Sequence, residues 1–275
     1  MKFQGILLCT DLDGTLLADD SRISEQNRLA IEYFQREGGL FTFVTGRPPL
    51  AVRQLFLDIR PNALIGCLNG GGIYDGERDE VCDVSYLDSD ADVMLDAVER
   101  AMPDVGIMVV NRSGVFFTNE VTANARYSQN RSLPFPIRPR SDVECPYYKV
   151  VFLHHEEARL DEVAALLREH PLADRFSYIR SEREIYEILP KGASKGNVML
   201  RIADRLGIDR THTIAVGDYN NDVSMIRAAG VGYAVANAAP EARAVADRIT
   251  VSNNESAIAA IIRDLDEGNV SFPEK

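Results

Sequence analysis

The chain has 275 residues, of which 45% are hydrophobic and 26% charged, and its formal net charge is -12 at pH 7. This length and composition are typical of a globular protein with one large domain or two smaller ones. A strongly acidic chain argues against binding to nucleic acid or to an anionic membrane, because both need a basic face. A local positive site can still bind a small anionic substrate.

The cysteines indicate a reducing compartment. Cys9, Cys67, Cys82 and Cys145 show neither CxxC nor CxxxC spacing, so we expect small buried side chains and no disulfide framework. The apolar N-terminal run is interrupted at Asp11 before it reaches the length of a signal peptide. No segment approaches the roughly 18 continuous apolar residues of a membrane span. We therefore expect a cytoplasmic protein.

The N-terminal part of the chain alternates predicted strands and helices. Strands are expected in the segments GILLCT, LFTFVTG and ALIGCLNGG. Ser24 is placed to cap a helix over 25–37, and another helix is predicted near 49–58. Continuous apolar strands separated by single helices are typical of parallel βαβ units whose sheet is covered on both faces.

The middle of the chain has a different pattern. The segments VGIMVVNRSGVFFTN and FSYIRSEREIYEILP each predict a β-hairpin, the first with its turn at 111–114. A strand in YYKVVFLHH and a helix over 156–169 are predicted between the hairpins. This pattern indicates an antiparallel sheet with helices on one side. We expect 83–188 to form an α+β domain inserted into a core made of 1–82 and 189–275.

The C-terminal part returns to alternating strands and helices. Ser194 is expected to cap a helix that ends before Gly207. The segments THTIAVGD and GYAVAN predict strands, DVSMIRAA predicts a short helix between them, and 255–265 predicts a final amphipathic helix. The predicted fold is therefore α/β, with a Rossmann-like parallel-sheet core and an inserted α+β domain.

Polar side chains follow three of the predicted core strands. Asp11 and Asp13 come after the first strand, Thr45 after the second, and Asp218 after THTIAVG. Ligands of an open parallel sheet bind beyond the carboxyl ends of its strands, and residues i and i+2 can point to the same side. Grouped carboxylates need a cation or a proton, and oxygen ligands suit Mg²⁺. Lys195 adds positive charge beside a helix N-terminus, so a magnesium-assisted phosphate site is predicted.

Four segments then carry a family resemblance. DLDGTLL, VTGRP, GASKG and GDYNNDVSMI occur in this order and resemble the four motifs of the haloacid dehalogenase superfamily of phosphohydrolases. The insert between the second and third motifs is similar to the α/β cap of the Cof-like phosphatases. The segments CLNGGGIYD and VANAAPEARAVAD also resemble the sequences of that group. The resemblance implies a Mg²⁺-dependent phosphomonoesterase, monomeric or homodimeric. Its expected substrates are small phosphorylated metabolites, such as sugar phosphates or nucleotide-cofactor precursors, with the cap selecting the leaving group.

The resemblance also implies a role for each matching position. Asp11 is expected to be the nucleophile that forms an aspartyl-phosphate, and Asp13 the acid that protonates the leaving group and later activates water. Magnesium is expected to bind the Asp11 carboxylate, the Asp13 backbone carbonyl and Asp218. Asp222 is expected to orient Lys195 or a metal-bound water. The residues expected to contact the phosphoryl group or the rest of the substrate are Thr45, Gly46, Arg47, Asn69, Lys195 and Asn221, with Thr45 and Lys195 also taking part in catalysis.

Two other functions are compatible with the same motifs. A phosphosugar mutase resembles the same core and uses both aspartates, but it returns the phosphoryl group to a sugar hydroxyl. A non-catalytic sensor of phosphorylated ligands keeps the fold but has no need of the acid/base Asp13.

Several residues have alternative interpretations. Arg47 either meets the substrate or balances the carboxylates. In the insert, Arg112, Tyr148 and Arg180 either reach a substrate or are solvated surface residues. The histidines lack metal-ligand spacing and are expected to be structural or exposed; they are His154, His155, His170 and His212.

Overall fold

The computed structural model describes residues 1–130 and 135–273, so 131–134 of the predicted insert and 274–275 of the predicted core lie outside the described residues. Its strands, in chain order, are β1 (Leu7–Thr10), β2 (Leu40–Phe43), β3 (Ile65–Cys67), β4 (Gly72–Asp75), β5 (Glu80–Val84), β6 (Gly106–Asn111), β7 (Gly114–Phe117), β8 (Lys149–Leu153), β9 (Phe176–Glu182), β10 (Ile185–Pro190), β11 (Thr213–Gly217), β12 (Val231–Ala234) and β13 (Arg248–Ile249). Its α-helices are α1 (Glu25–Arg36), α2 (Pro49–Arg53), α3 (Asp90–Ala101), α4 (Thr122–Asn130), α5 (Glu157–Glu169), α6 (Lys195–Leu206), α7 (Val223–Ala228), α8 (Pro240–Arg243) and α9 (Ala257–Asp266).

The chain divides into two compact units. The core unit consists of Met1–Asp83 and Ser194–Lys275, and the inserted unit of Val84–Ala193. The predicted second boundary, between 188 and 189, falls inside β10. That strand pairs with β9 as far as Pro190, whose carbonyl then accepts from the N–H of Ala193. The division therefore comes after the strand and its turn.

The core unit is built on a five-stranded parallel sheet with the strand order β13-β12-β11-β1-β2. On one face, Leu7 and Cys9 of β1 pack against Met199 of α6 and Met225 of α7. Leu8 points to the opposite face, because side chains alternate along a strand, and it too is completely buried. The predicted parallel sheet, covered on both faces, is confirmed.

Helix capping follows the sequence prediction. The Ser24 side chain accepts from the N–H of Asn27 at the start of α1. Ser194 accepts in the same way at the start of α6. Gly207 ends α6 in the left-handed conformation, with φ of 67°, which glycine adopts without steric cost. The Ser194 cap fixes where α6 begins, and therefore where Lys195 lies.

The third predicted strand does not continue the parallel sheet. Strand β3 belongs to a separate three-stranded sheet with the order β3-β4-β5, in which it pairs antiparallel with β4. A single parallel bridge, between Val44 and Gly66, connects it to the end of β2. The positive φ of Leu68, Asn69 and Gly70 produces a sharp reversal after β3, which returns the chain to pair with β3 as β4. The glycine-rich segment is the tight turn that the sequence predicts.

The inserted unit contains a five-stranded antiparallel sheet within the described residues, with the order β7-β6-β8-β10-β9. Both predicted hairpins are confirmed. Ile107 and Phe152 belong to an apolar cluster with α3 and α5 on one face. Met108 and Val151 belong to a second cluster on the other face, which includes Ala123 of α4. Helices therefore pack on both faces, and the prediction of helices on one side is wrong.

The cysteines are free thiols in the structure. Cys9 and Cys67 are buried, whereas Cys82 and Cys145 are exposed, so the expectation of four buried side chains is wrong for the last two. Among the described helices, none combines the length and the apolar character that a membrane span needs.

Candidate active site

Loops from three adjacent strands bring the predicted residues together in the core unit. Asp11 and Asp13 follow β1, Thr45 follows β2, and Asp218 follows β11. Because β1 pairs in parallel with both β2 and β11, the carboxyl ends of these strands lie at one edge of the sheet. Lys195 reaches the same edge from the first turn of α6.

The loop after β1 depends on a glycine. The Asp11 N–H donates to the carbonyl of Val216 at 3.0 Å, which extends the pairing of β1 with β11. Gly14 then turns the chain with φ of 74°, and a Cβ at this position would lie 2.6 Å from Asp218 Oδ2. Both the left-handed backbone and the close approach of the carboxylate require glycine here.

Lys195 lies between two carboxylates and is almost completely buried. Its Nζ is 2.8 Å from Asp11 Oδ1 and 2.6 Å from Asp222 Oδ1. Burial alone lowers the pKa of Lys195, but the attraction of Asp11 and Asp222 outweighs burial and raises that pKa above its ordinary value. The lysine is therefore a permanent positive charge in the site.

Asp222 holds Lys195 and the loop after β11 in place. Its Oδ2 accepts from the backbone N–H of Asp218 at 2.9 Å and from that of Tyr219 at 3.1 Å. Its Oδ1 accepts from Lys195 at 2.6 Å. Both oxygens of this completely buried side chain are thus used to hold the loop after β11 and the lysine.

Negative charge exceeds positive charge in this cluster. One carboxylate oxygen each from Asp11, Asp218 and Asp222 lie within 4.8 Å of one another. Burial, followed by repulsion from Asp222, raises the pKa of Asp11 well above its ordinary value, although Lys195 opposes this. Burial and Asp222 also raise the pKa of Asp218 to about 7. One lysine does not balance three carboxylates, and an all-oxygen group of this kind fits a hard divalent cation such as Mg²⁺.

Thr15 belongs to the site and was not predicted. Its hydroxyl donates to Asp218 Oδ1 at 2.8 Å, and its side chain is completely buried. This hydrogen bond lowers the pKa of Asp218 and so opposes the effect of burial. The available signal was a single hydroxyl residue in an otherwise apolar run, directly after the Asp-Gly turn.

Arg47 makes two hydrogen bonds to Asp13. Its Nη2 donates to Asp13 Oδ1 at 2.6 Å and its Nε to Oδ2 at 2.9 Å. The backbone N–H of Arg47 donates to Thr45 Oγ1 at 3.2 Å. Of the two uses that the sequence left open for Arg47, the structure shows the contact with a carboxylate.

Two buried amides lie next to the loop after β2. Asn221 Nδ2 donates to Asn69 Oδ1 at 3.1 Å, and the Asn69 N–H donates to the carbonyl of Thr45 at 3.0 Å. Gly46 makes room for this arrangement, because a Cβ there would lie 3.0 Å from the Asn69 amide. Within the described ranges, the buried Asn221 Oδ1 has no hydrogen-bond partner. The four residues expected to contact substrate at this edge are therefore assembled.

The candidate residues of the inserted unit have structural contacts of their own. Tyr148 is buried against Tyr86, with ring centroids 5.4 Å apart. Arg180 donates to Asp161 at 2.5 Å. Of the two uses that the sequence left open, a solvated surface position fits the exposed Arg112 and does not describe the buried Tyr148, while Arg180 is partly buried in an ion pair.

The histidines do not belong to the candidate metal-binding group found among the described residues. In the part of the chain that the structure describes, the group able to hold a metal ion consists of Asp11, Asp218 and Asp222. His154 is buried, and its Nδ1 accepts from the N–H of Glu156 at 3.0 Å, which is a structural role.

Comparisons with known proteins cover nearly the whole chain. Residues 8–262 match a family described as haloacid dehalogenase-like hydrolase. The chain is 28% identical to the 5-amino-6-(5-phospho-D-ribitylamino)uracil phosphatase YwtE of Bacillus subtilis, covering 95% of this chain and 98% of that protein. It is 27% identical to phosphatase YwpJ of the same organism, over 94% and 99% of the two chains. The crystal structure of a haloacid dehalogenase-like hydrolase from Bacteroides thetaiotaomicron matches with a TM-score of 0.80 at 26% identity, covering 94% of this chain and 99% of that one. The similarity thus includes the inserted unit.

Proposed function

The chain belongs to the haloacid dehalogenase-like hydrolases of the Cof-like group, and we propose that it is a phosphatase that hydrolyses small phosphomonoesters through an aspartyl-phosphate on Asp11. The observation that supports this mechanism most directly is the position of Lys195. It places a buried positive charge 2.8 Å from the carboxylate at the end of β1. A nucleophile that must approach an anionic phosphate needs such a charge beside it.

Asp11 and Asp13 would perform the two chemical steps. An Asp11 oxygen attacks phosphorus, the bond to the ester oxygen breaks, and Asp13 gives its proton to the departing oxygen. Water then attacks the aspartyl-phosphate, Asp13 accepts a proton from that water, and inorganic phosphate leaves Asp11 free. The Asp13 side chain is 38% exposed, so it is accessible to both the leaving group and water.

The carboxylate cluster would hold the metal. Asp11, Asp218 and the backbone carbonyl of Asp13 are the proposed ligands of a magnesium ion. When bound, that ion supplies positive charge that reduces repulsion between the substrate phosphate and the Asp11 carboxylate. Asp222 is left to hold Lys195 and the loop after β11, since both of its oxygens already accept hydrogen bonds from these groups.

The neighbouring hydroxyl and amide groups would hold the phosphoryl oxygens. Thr45 Oγ1 accepts from the N–H of Arg47, so its own O–H is directed elsewhere and can donate to phosphate. The amide of Asn221 has two N–H donors, one of which is used by Asn69. Gly46 and Asn69 shape the backbone between these donors.

We infer that the substrates are small phosphorylated metabolites. The name of the relative YwtE specifies the phosphate ester of a ribitylamino-uracil, which is a small phosphorylated metabolite. Nucleotide-cofactor precursors and sugar phosphates are the two candidate classes. All of the proposed catalytic residues are in the core unit. We therefore assign selection of the leaving group to the inserted unit.

A screen of phosphorylated metabolites tests the proposed function. Released phosphate is measured with Mg²⁺ present and the substrates are ranked by kcat/KM, with Asp11→Asn as the matched inactive control. Equal phosphate release by wild type and Asp11→Asn contradicts the proposal. The absence of phosphate release from every ester also contradicts it and favours a sensor of phosphorylated ligands. Transfer of the phosphoryl group to a second sugar hydroxyl, dependent on a bisphosphate activator, would instead identify a mutase.

A further inference from the structure

The ion pair between Arg47 and Asp13 has a specific geometry. Arg47 Nη2 and Nε each donate to a different oxygen of Asp13, at 2.6 and 2.9 Å. Two parallel hydrogen bonds between a planar guanidinium and a planar carboxylate fix the orientation of both planes, which a single bond does not. The contact therefore determines where the Asp13 oxygens point.

Arg47 is itself held in place. Its N–H donates to Thr45 Oγ1 at 3.2 Å, and its carbonyl accepts from the N–H of Leu68 at 3.2 Å. Its backbone is thus attached both to the loop after β2 and to the turn after β3. The side chain extends from this fixed point to the loop after β1, and 25% of it is exposed. A carboxylate that is 38% exposed has rotational freedom unless a partner restrains it.

We propose that Arg47 is a positioning residue that orients the acid/base Asp13, and that it does not bind the phosphoryl group of the substrate. This inference rests on the proposed function, since it assigns Arg47 a part in the proton transfers of Asp13. The N–H groups on one edge of the guanidinium are committed to Asp13. The same contact connects the loop that carries the nucleophile to the loop that carries Thr45.

A positioning role and a substrate-binding role give different kinetic patterns. If Arg47 acts through Asp13, its loss affects esters whose leaving group needs a proton and has little effect on esters whose leaving group does not. In that case, replacing Arg47 also no longer lowers the rate once Asp13 has been replaced. If Arg47 binds substrate, replacing it weakens the binding of every ester, and this effect persists when Asp13 is also replaced.

The first experiment compares leaving groups. Arg47→Met removes the guanidinium at similar length, and Arg47→Lys keeps the charge without the paired donors. Single-turnover release of the alcohol is measured with Mg²⁺ for p-nitrophenyl phosphate, phenyl phosphate and the best metabolite from the screen. For Arg47→Met we expect a loss of about 10²-fold with the metabolite and less than about threefold with p-nitrophenyl phosphate, whose leaving group departs without a proton. Arg47→Lys should fall between wild type and Arg47→Met.

The second experiment is a double-mutant cycle with Asp13→Asn. Arg47→Met should lower kcat for phenyl phosphate by about 10²-fold in the wild-type background and by less than about threefold in the Asp13→Asn background. Arg28→Met is the matched control, because Arg28 also makes several hydrogen bonds to carboxylates, Glu25 and Glu32, but lies on the surface of α1. It should leave kcat unchanged. Thermal unfolding verifies that each variant is folded.

Three outcomes would overturn this inference. They are an equal loss for all three esters together with a raised KM, a loss of the same size in the Asp13→Asn background, and no loss at all in a folded Arg47→Met variant. If Asp11→Asn is as active as the wild type, it is the proposed function that fails, whatever Arg47 does.

Discussion

Lys195 Nζ lies 2.8 Å from Asp11 Oδ1, although the two residues belong to different segments of the core unit. One segment precedes the inserted unit in the sequence and the other follows it. The aspartate ends the central strand β1 and the lysine begins α6. The pair therefore forms only when both segments of the core unit have folded together. Its single positive charge faces three carboxylates, and this imbalance leads to the first two predictions.

Activity should depend on a divalent cation. We expect EDTA to abolish hydrolysis of p-nitrophenyl phosphate, Mg²⁺ to restore it, and Ca²⁺ to restore it poorly. The reason is that the oxygen ligands suit a hard cation, while Ca²⁺ takes more ligands at longer distances than Mg²⁺ does. Phosphate release after dialysis against EDTA and addition of each metal is the measurement. Full turnover in metal-free buffer would contradict the prediction.

Asp218 should destabilise the metal-free protein at neutral pH. Burial raises its pKa in the folded chain to about 7 from an ordinary value of 3.8, so the folded state binds this proton more tightly than the unfolded state. The contribution of Asp218 to stability therefore falls as the pH rises from about 4 to 7. In EDTA at pH 7.5, Asp218→Asn should be more stable than the wild type, by on the order of 2–4 kcal/mol.

Thermal unfolding from pH 4 to 8, with EDTA or with Mg²⁺, measures this effect. The advantage of Asp218→Asn should shrink towards pH 4, and Mg²⁺ should stabilise the wild type but not the variant. Asp20→Asn, an exposed aspartate in the same unit, is the control and should follow the wild type. A variant that is less stable than the wild type in EDTA at every pH would disprove the prediction.

The sequence predicted which side chains of the candidate site come together, because strand topology and not loop detail brings them to one edge of the sheet. The carboxyl ends of adjacent parallel strands meet at one edge, so Asp11, Thr45 and Asp218 had to lie close to one another once the strands were recognised. The sequence left open whether Arg47 meets the substrate or a carboxylate, because that choice depends on side-chain torsions in two loops. Thr15 was missed because a hydroxyl within an apolar run does not by itself distinguish a buried hydrogen bond from simple packing.

In the fold, too, the sequence pattern indicates some elements, whereas others depend on tertiary contacts. Helix α3 was overlooked although its buried residues follow helical spacing: Ala91, Met94, Leu95 and Val98. Helix α4 has no comparable pattern, because its sequence TANARYSQN is mostly polar and its place on the sheet depends on tertiary contacts. The reversal after β3 was recognised as a turn, but the sequence did not indicate that β3 pairs mainly with β4 and makes only one bridge to β2.

A buried ion pair should contribute to the stability of the inserted unit. Lys149 Nζ lies 2.8 Å from Glu187 Oε2, and the two side chains are only 8% and 3% exposed. Lys149→Met should lower the free energy of unfolding by about 3–5 kcal/mol, because Glu187 stays buried without this cation. The double variant Lys149→Met/Glu187→Met should recover most of the loss, since no charge is then left behind.

Scanning calorimetry of the whole chain measures both variants. Arg175→Met is the control in the same unit, because its pair with Asp88 is about half exposed on both sides, at 52% and 48%. Its effect should stay below about 1 kcal/mol. A Lys149→Met variant as stable as this control would show that the buried pair does not contribute.

Substitutions in the inserted unit should change substrate preference and not the chemistry. We expect Arg112→Ala, at an exposed position, to alter kcat/KM among metabolites by about 10-fold or more while hydrolysis of p-nitrophenyl phosphate stays within about twofold. The reason is that the proposed catalytic residues all belong to the core unit. If conservative substitutions in the inserted unit abolished hydrolysis of the artificial ester in folded protein, part of the chemistry would have to be assigned to that unit.

The two aspartates after β1 should be distinguishable by one substitution each. Asp11→Asn should abolish phosphoryl transfer for every ester, because an amide is a poor nucleophile and the variant also loses a proposed metal ligand. Asp13→Asn should still react once with p-nitrophenyl phosphate, since that leaving group needs little protonation. The second step then lacks its base. We expect a burst of p-nitrophenol of about one equivalent per site followed by slow turnover.

The aspartyl-phosphate that accumulates in Asp13→Asn gives a direct measurement. Acid-quenched protein should carry phosphate on the peptide that contains Asp11, detectable by mass spectrometry, and the same peptide from Asp11→Asn should carry none. This variant pair is well matched because each substitution replaces one carboxylate by an amide in the same loop. If Asp13→Asn kept the steady-state turnover of the wild type, Asp13 would not be the acid/base, and Arg47 would then hold a carboxylate with no part in proton transfer.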